Sequence, residues 1–520
     1  MARLKEYNGH YCESEYEYAF IGFLEDEGWL YSSGNNISRV TKRDVLIADD
    51  FKNFISDTNS DLTEDDVTQI FDNVRLVGSE SDFATLHKVY GWMVDGVQFT
   101  PQDGLARMIP LIDFENWDKN IFRVVNQFTV EYTNNGQKEN RRPDVLLFVN
   151  GMPLCVIELK NPADANATIY DAWEQINIRY WRDIPHLLHY CPLACISDGV
   201  KTRLGTVRTP YEHFYAWRRV NEGDTVSTLP FEETETMIKG VYAPERFLEI
   251  FRDYIYFQDS IYDSDEVEIV CRYPQFFAAR LLKQSIINSV VQKSGKGGTY
   301  FGATGCGKTY TMAFLARQLA LRCTDIPEIG SPTIILIVDR DELQKQGAKL
   351  FTKSMEFLNL GEVSVVKNRA QLRQELGARQ SGGFYICTIQ KFCDREDDKI
   401  GLINDRQNII CFSDEAHRTQ LEHSKKIQFS KDADENMKAM VSKPYAKVLK
   451  EAFPQATFVG FTGTPIAETY QTFGDEIDRY TMDQAVADGL TVSIKYHPRI
   501  AKVLLDKVKV KQIEDYYKKC

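Results

Sequence analysis

Apolar positions near the start of the chain repeat with a helical period. They predict an amphipathic helix over residues 13–28 and place one set of side chains on its buried face: Tyr16, Ala19, Phe20, Phe23 and Leu24. Residues 40–125 show further helical stretches that are separated by acidic loops. This part of the chain is therefore predicted to be mainly helical.

Between residues 127 and 159 the pattern changes to short runs that are rich in Val, Phe and Leu. These runs predict strands at 127–132, 144–149 and 154–159. Asn-Gly pairs at 135–136 and 150–151 separate them, and such a pair between two apolar runs favours a hairpin turn. A helix over 163–180 and a strand near 193–197 are predicted to follow.

From about residue 272 onward, short apolar runs alternate with stretches of helical period. We predict strands at 333–338, 384–388, 409–413 and 457–461. This alternation indicates a parallel sheet with helices on its faces. The second half of the chain is therefore predicted to be an α/β domain.

Composition narrows the class of protein. A chain of 520 residues is long enough for roughly three domains, and 43% hydrophobic residues fit a folded globular protein. The net charge of −13 argues against a polycation that coats nucleic acid. The cysteines show no paired framework, and no apolar run has membrane-spanning length. We therefore expect a cytoplasmic protein with no membrane partner.

The most specific motif is the glycine-rich stretch 302–309, which fits G-x-x-x-x-G-K-[ST] between a predicted strand and a predicted helix. Its glycines let backbone N–H groups face a polyphosphate at a helix N-terminus. We expect Lys308 to reach the β- and γ-phosphates and Thr309 to ligate Mg²⁺. The motif predicts a nucleotide site formed by Gly302, Thr304, Gly305, Cys306, Gly307, Lys308 and Thr309.

A second part of the nucleotide site is predicted at Asp414-Glu415-Ala416-His417, which follows a strand that we expect to lie beside the P-loop strand. A carboxylate at the carboxyl end of such a strand is placed to hold the metal, so Asp414 is a predicted Mg²⁺ ligand. Glu415 is predicted to orient and deprotonate the attacking water. An acidic helix N-cap is the alternative interpretation.

Thr462-Gly463-Thr464-Pro465 follows the next predicted strand. The order of these three motifs resembles a superfamily 2 helicase or translocase. The resemblance implies a RecA-like ATPase lobe in which the third motif couples nucleotide state to DNA contact. It also implies that Gln275 reads adenine, which favours ATP over GTP. Nucleic-acid contacts are implied at Asp339-Arg340, at Gln344 and at 388–391.

The first half of the chain carries a different chemistry. Pro143-Asp144 and Glu158-Leu159-Lys160 fit the P-D…(D/E)-x-K pattern of metal-dependent nucleases. Such nucleases need two carboxylates to hold Mg²⁺ against a phosphodiester and a cation to lower the pKa of the attacking water. Asp144 and Glu158 are therefore predicted metal ligands, and Lys160 is the predicted catalytic cation. A solvated Glu–Lys pair on an exposed strand is the alternative.

The predicted hairpin places these residues near one another. With a two-residue turn at 150–151, Val149 faces Met152 and Asp144 faces Ile157, so a twist or bulge must bring Glu158 to Asp144. An upstream acid often completes such a site, and Glu17 is the catalytic candidate. A capping box over residues 14–17 is the alternative for Glu17.

Both constellations in this order resemble the restriction subunit of type I restriction–modification enzymes. The match runs through residues 142–144, 150–151 and 158–162, Ser197-Asp198-Gly199 and the helicase motifs. It implies a PD-(D/E)xK endonuclease domain at 1–255, a first RecA-like lobe at 256–480 and the start of a connection to a second lobe at 481–520.

The resemblance also implies an activity and partners. The activity is ATP-driven translocation with Mg²⁺-dependent cleavage of unmethylated double-stranded DNA. The partners are a specificity subunit and a methyltransferase subunit, and the latter uses S-adenosylmethionine.

One departure from the family concerns the spacing after the nuclease lysine. The family carries Q-x-x-x-Y, whereas one more residue separates Gln175 from Tyr180 here. On a regular helix, five steps of about 100° leave two side chains roughly 140° apart. Either the helix bulges, or Arg179 or Asn177 replaces Tyr180. Gln175 is kept as a catalytic candidate in both cases.

A second departure concerns the motor. Motors of this family need a second RecA-like lobe with an arginine that completes the ATP site, and Cys520 follows soon after the third motif. We interpret the chain as an N-terminal portion rather than a degenerate relative, and expect it to bind ATP but hydrolyse it slowly. Two other functions are compatible with the motifs. One is a stand-alone superfamily 2 helicase with a non-catalytic DNA-binding N-terminal domain. The other is a non-enzymatic assembly module in which nucleotide binding only changes the conformation.

Overall fold

The structure is a computed structural model. It describes residues 13–78, 80–102, 104–161, 168–226, 232–258, 266–339, 350–351, 355–358, 361, 363–392, 399–416, 427–431, 437–441 and 445–492.

Strands occur throughout these ranges. In chain order they are β1 Leu30–Ser33, β2 Val97–Phe99, β3 Arg107–Ile109, β4 Phe122–Asn126, β5 Val130–Asn134, β6 Gln137–Arg141, β7 Val145–Val149, β8 Met152–Leu159, β9 Leu193–Ser197, β10 Thr202–Thr206, β11 Ile255–Gln258, β12 Val267–Val270, β13 Lys296–Gly302, β14 Thr333–Val338, β15 Val363–Val365, β16 Phe384–Thr388, β17 Ile409–Asp414, β18 Ile427–Lys431, β19 Met437–Val441, β20 Thr457–Thr462 and β21 Glu476–Tyr480.

Helices separate most of the strands. The α-helices are Glu13–Asp26, Ala48–Thr58, Glu64–Arg75, Asp82–Asp95, Ile169–Glu174, Trp181–Asp183, Pro185–Leu188, Glu233–Met237, Pro244–Asp253, Tyr273–Gln292, Lys308–Leu321, Met355–Leu358, Arg369–Ala378, Tyr445–Ala452, Ala467–Phe473 and Met482–Ala487. Wide π-helical turns cover Gln175–Tyr180 and Ile238–Tyr242. In the described ranges, no helix is both long and apolar enough to cross a membrane.

The first half of the chain is built on a mixed six-stranded sheet in the order β1-β4-β7-β8-β9-β10. The central strands β7 and β8 are buried along their whole length, as their nearly continuous apolar sequence requires. Phe20 and Leu24 of the first helix are fully buried, in agreement with the predicted apolar face. Because β8 and β9 are parallel, their carboxyl ends at Leu159 and Ser197 lie side by side.

The β7–β8 hairpin departs from the predicted register. Val149 pairs with Met152 as predicted, but the register shifts further along, so that Val145 rather than Asp144 pairs with Ile157. The extra residue in β8 follows Pro153, which has no N–H to donate to the ladder. The predicted pairing of Asp144 with Ile157 is therefore wrong. The bulge brings Asp144 opposite Glu158.

The second half of the chain forms a seven-stranded sheet in the order β15-β16-β14-β17-β20-β13-β21. All of its neighbouring pairs are parallel, which confirms the predicted parallel sheet. Strand β20 lies between the P-loop strand β13 and strand β17, which ends at Asp414. The prediction that these two strands are neighbours is therefore wrong, because the strand that leads into the third motif inserts between them.

Aromatic side chains join the two sheets. The helix Pro244–Asp253 packs Phe247 against Trp29 at 5.4 Å between ring centroids, and Tyr254 at its end contacts Phe276 at 4.9 Å. One continuous apolar core therefore reaches both sheets. The predicted division between residues 255 and 256 falls at the start of β11 and remains a prediction.

Candidate active sites

The nuclease-like constellation converges at the carboxyl end of β8. Glu158 is fully buried at 0% exposure. The Tyr180 hydroxyl donates to its Oε1 at 2.5 Å, and Gln175 Nε2 donates to its Oε2 at 2.7 Å. Lys160 Nζ donates to Gln175 Oε1 at 3.0 Å and lies 4.0 Å from Glu158 Oε2. Two residues predicted from the pattern, Glu158 and Lys160, are thus held together by Gln175.

The altered spacing between Gln175 and Tyr180 is accommodated by the backbone. The chain from Gln175 to Tyr180 forms a π-helical turn, in which i→i+5 bonding places residues five apart on one face. Gln175 Nε2 accordingly donates to the Tyr180 hydroxyl oxygen at 2.8 Å. Asn177 donates instead to the Val207 and Thr209 carbonyls. The bulged helix is the correct alternative, and Asn177 does not replace the tyrosine.

Asp144 completes the pair of carboxylates. Its Oδ2 accepts a hydrogen bond from the Leu159 N–H at 2.9 Å, which fixes the carboxylate at the end of β8. Burial and then the charge of Asp144 raise the pKa of Glu158 well above its usual value, while Lys160 and the Tyr180 hydroxyl act in the opposite direction. The two carboxylates therefore repel each other when both are ionised, and a bound cation would reduce this repulsion.

The donor set of this pair fits a hard divalent cation. Carboxylate oxygens are the ligands that Mg²⁺ prefers, and Mg²⁺ commonly uses one or two of them together with water. Across the described ranges no three His, Cys, Asp or Glu side chains converge as a metal-binding group. Asp144 and Glu158 offer two such carboxylates at this site and would hold a Mg²⁺ ion together with water.

Glu17 lies beside this site on the first helix. Asn126 Nδ2 and Gln127 Nε2 donate to its two carboxylate oxygens, each at 2.6 Å. The Gln127 N–H donates to the Asp144 carbonyl at 3.0 Å, so one residue separates Glu17 from the backbone of Asp144. The capping-box alternative is wrong, because Ser14 lies within the helix and Glu17 is buried. The catalytic role of Glu17 remains a prediction.

Replacement of Glu158 by Gln is expected to stabilise the metal-free protein at alkaline pH. The folded-state pKa of Glu158 is raised, so the neutral carboxyl stabilises the fold below the unfolded pKa of about 4.3, and that stability is lost as pH rises through the folded pKa. Glu158→Gln should therefore raise the melting temperature by a few degrees at pH 8, with the gain shrinking in acid.

The measurement is thermal unfolding in EDTA from pH 4.5 to 8. The exposed Glu25→Gln variant serves as the control, and its melting temperature should follow that of wild type at every pH. A melting temperature for Glu158→Gln below that of wild type at pH 8 would show that the ionised carboxylate stabilises the fold.

The predicted nucleotide site forms at the carboxyl edge of the parallel sheet. The P-loop joins β13 to the helix Lys308–Leu321, with Gly305 and Gly307 both at φ +83°. Glycine is favoured at 307 because φ +83° is a backbone conformation that residues with a Cβ rarely adopt. Lys308 Nζ donates to the Gly302 carbonyl at 3.3 Å and lies 4.0 Å from Glu415 Oε1.

Asp414 and Glu415 face this lysine across the sheet edge. Burial raises the pKa of Asp414, the Lys308 charge lowers it and the Glu415 charge raises it. Glu415 has a left-handed backbone at φ +49°, and its N–H donates to Asp414 Oδ1 at 3.0 Å. A non-glycine residue in this region stores strain that is common at functional sites. The two carboxylates and Lys308 thus fit Mg²⁺ together with a polyphosphate.

The remaining motifs pack against the P-loop. Gln275 is 2% exposed, its Oε1 accepts from the Arg272 N–H at 2.9 Å and its Nε2 donates to the Gly307 carbonyl at 3.3 Å. A Cβ at Gly463 would lie 3.2 Å from the Thr304 hydroxyl, so the third motif touches the same loop. Adenine reading by Gln275 remains a prediction.

The strand-end motifs are only partly covered by the structure. Gln390 Nε2 donates to the Asp339 carbonyl at 2.6 Å, which joins two of the predicted nucleic-acid contacts. Arg340, Gln344, His417 and Pro162 lie outside the described residues.

Residues 11–213 match the family described as type I restriction enzyme R protein N terminus, and residues 274–519 match the family described as SWI2/SNF2 ATPase. The type I restriction enzyme HindI endonuclease subunit of Haemophilus influenzae is 31% identical over 506 residues, which cover 93% of this chain and 46% of that protein.

More distant relatives carry the same kind of name. One from Methanocaldococcus jannaschii is 29% identical over 523 residues, covering 94% of this chain and 46% of the relative. One from Staphylococcus aureus strain COL is 24% identical over 490 residues, covering 91% and 47% respectively.

The chain belongs to the family of type I restriction endonuclease subunits. It spans about half the length of the curated relatives that it matches. Its second half carries the SWI2/SNF2-type ATPase domain of the family, within a mixed α/β fold.

Several residues at or near the candidate sites of this restriction subunit were not predicted from the sequence. Asn126 and Gln127 hold Glu17, but Gln127 was predicted only as the first residue of a strand and Asn126 was assigned to no element. Two amides directly after the apolar run of β4 were the available signal, because polar groups at the end of a buried strand need partners. Arg218, whose contacts are described below, follows no recognisable motif.

Proposed function

We propose that the chain is the nuclease and motor part of an ATP-dependent DNA endonuclease that acts with methyltransferase and specificity subunits. One observation carries the proposal. A single apolar core supports both the site formed by Asp144, Glu158 and Lys160 and a P-loop that faces Asp414 and Glu415. Motor and cleavage chemistry in one subunit require such a pair of sites.

In the nuclease-like site, each side chain has a proposed role in phosphodiester hydrolysis. A bound Mg²⁺ would polarise the phosphate and lower the pKa of the attacking water. Asp144 and Glu158 hold the ion, and Lys160 stabilises negative charge on the attacking oxygen and the phosphate. Gln175 and Tyr180 orient the Glu158 carboxylate through their hydrogen bonds to it.

In the nucleotide site, the roles follow from charge and position. Lys308 and the backbone N–H groups of the P-loop bind the ATP phosphates, and Thr309 with Asp414 holds Mg²⁺. Glu415 takes the proton of the attacking water as general base. Turnover of this ATP drives the movement of double-stranded DNA, and slow turnover by the 520 residues alone stays a prediction.

The test is double-strand cleavage of long unmethylated DNA by the native-length protein with its methyltransferase and specificity subunits. Cleavage should require both ATP and Mg²⁺ and should be lost on fully methylated DNA of the same sequence. Hydrolysis of ATP on DNA without cutting would favour the stand-alone helicase. Nucleotide binding with neither activity would favour the assembly module.

The hydroxyl of Tyr180 is expected to accelerate cleavage. Tyr180→Phe removes a 2.5 Å hydrogen bond to the Glu158 carboxylate, and a bond to a charged group contributes about 1.5–3 kcal/mol. Cleavage should therefore slow by about 10- to 100-fold with ATP turnover unchanged. Arg179→Ala is the matched control from the same π-helical turn, because Arg179 bonds Glu174 instead. Equal rates for Tyr180→Phe and wild type would contradict the role of the tyrosine.

A further inference from the structure

A buried arginine joins the two halves of the chain outside both active sites. Arg218 is 8% exposed and uses two different nitrogens for two acids. Its Nε donates to Asp488 Oδ1 at 2.6 Å, and its Nη1 lies 3.2 Å from Glu233 Oε1. Asp488 belongs to the motor half, whereas Glu233 contacts the first sheet. Arg218 therefore bridges the two halves.

From Asp488 a chain of hydrogen bonds leads to the P-loop. The Tyr480 hydroxyl donates to Asp488 Oδ2 at 2.6 Å, and Tyr273 donates to the same oxygen at 2.9 Å. Tyr480 ends β21, and its carbonyl accepts the N–H of the P-loop residue Ala303 at 2.8 Å. One backbone hydrogen bond thus links the P-loop to the residue that holds Asp488.

From Glu233 a second chain leads to the nuclease-like site. Glu233 Oε2 accepts the Thr202 N–H at 3.0 Å, and the Thr202 hydroxyl lies 2.7 Å from the Ser197 hydroxyl. Ser197 is fully buried, and its carbonyl accepts the Lys160 N–H at 2.8 Å. The backbone of the predicted catalytic lysine is therefore the far end of a network that starts at the P-loop.

We propose that Arg218 is a positioning residue through which nucleotide at the P-loop fixes the strand end that carries Lys160. The inference rests on the proposed ATP site. Buried, fully hydrogen-bonded charge networks have few alternative geometries, because a broken link leaves an unpaired buried charge. Ordering of the P-loop by nucleotide is then transmitted through Asp488, Arg218 and Glu233 to the β8–β9 edge.

The guanidinium of Arg218 can contact two acids at once, so a lysine substitution can test its role. An arginine can bond one acid through Nε and another through Nη1, whereas a lysine offers a single ammonium. Arg218→Lys keeps the buried charge but is expected to hold only one of the two acids. The neighbouring Arg219 is also buried, yet it contacts Asp478 through one nitrogen, Nη1, at 3.0 Å. Arg219→Lys is therefore the matched control.

The measurement is hydrogen–deuterium exchange of the 520-residue protein with and without Mg²⁺ and ATPγS. In wild type, nucleotide should slow exchange of the Thr202 and Lys160 amides by about five-fold or more. Arg218→Lys should bind ATPγS but lose that change, and Arg219→Lys should keep it. A merely structural arginine would alter exchange equally with and without nucleotide.

The outcomes distinguish failure of the proposed ATP site from failure of the proposed coupling through Arg218. Binding of ATPγS is measured in parallel by equilibrium dialysis, and absence of binding by wild type would remove the proposed ATP site itself. Binding without a change at Thr202 and Lys160, or the same change in Arg218→Lys, would overturn only the coupling. If Arg218→Lys does not fold, Tyr480→Phe decides, because it removes the 2.6 Å bond to Asp488 and should also abolish the response.

Discussion

Lys160→Ala is expected to lower the DNA-cleavage rate of the assembled enzyme by about 100- to 1000-fold, the usual effect of removing one group that stabilises developing charge. Lys160 is the cation of the nuclease-like site, 4.0 Å from Glu158 Oε2. DNA-dependent ATP turnover should stay at the wild-type rate, because the P-loop is a separate site. Cleavage of long unmethylated DNA and phosphate release are measured on the same preparations.

The control for Lys160→Ala is Lys138→Ala. Lys138 lies in the same half of the chain, but its side chain is 77% exposed and pairs with Glu131 on the neighbouring strand. It should cut at the wild-type rate. If Lys160→Ala also cuts at that rate, the hairpin β7–β8 is not the nuclease. If it loses ATP turnover together with cleavage, the two sites do not act separately.

Glu415→Gln is expected to reduce ATP turnover by about 100- to 10,000-fold, which is the range contributed by a general base. The substitution keeps the side-chain size but cannot take a proton from water. Nucleotide affinity should change little, because Lys308 and the P-loop remain. Single-turnover hydrolysis and ATP binding by the native-length protein on DNA distinguish the two effects.

Two further variants are compared with Glu415→Gln, one at the phosphate-binding lysine and one at an exposed carboxylate. Lys308→Ala should weaken ATP binding by about 10- to 100-fold, since charge-assisted hydrogen bonds contribute about 1.5–3 kcal/mol. Glu468→Gln changes an exposed carboxylate shortly after the third motif and should leave turnover and binding unchanged. Wild-type turnover by Glu415→Gln would assign the base to another residue.

The sequence predicted features that depend on local pattern. The strands at 333–338 and 384–388 match β14 and β16, because a short apolar run between polar ends has few other conformations in a folded chain. The Asn150-Gly151 turn formed as predicted, with both residues at positive φ. The P-loop joins its strand to its helix for the same reason, since its glycines specify the backbone locally.

Features that depend on distant partners were not predictable. Several strand orders would bury the same apolar runs, so the sequence pattern does not specify that β20 lies between β13 and β17. A twist or bulge between Asp144 and Glu158 was predicted from the sequence, but period-2 alternation did not show that it lies beside Pro153. Arg218 bonds Asp488, a residue 270 positions away. No local pattern marks such a contact.

The π-helical turn at Gln175–Tyr180 has a consequence for how relatives of this protein are found. One additional residue in an ordinary helix would rotate every later side chain by about 100°. Here the widened turn accommodates the longer spacing, and Trp181 directly after it donates to the Val207 carbonyl at 2.7 Å. A search that demands three residues between the glutamine and the tyrosine would pass over this chain, although the two side chains meet at 2.8 Å.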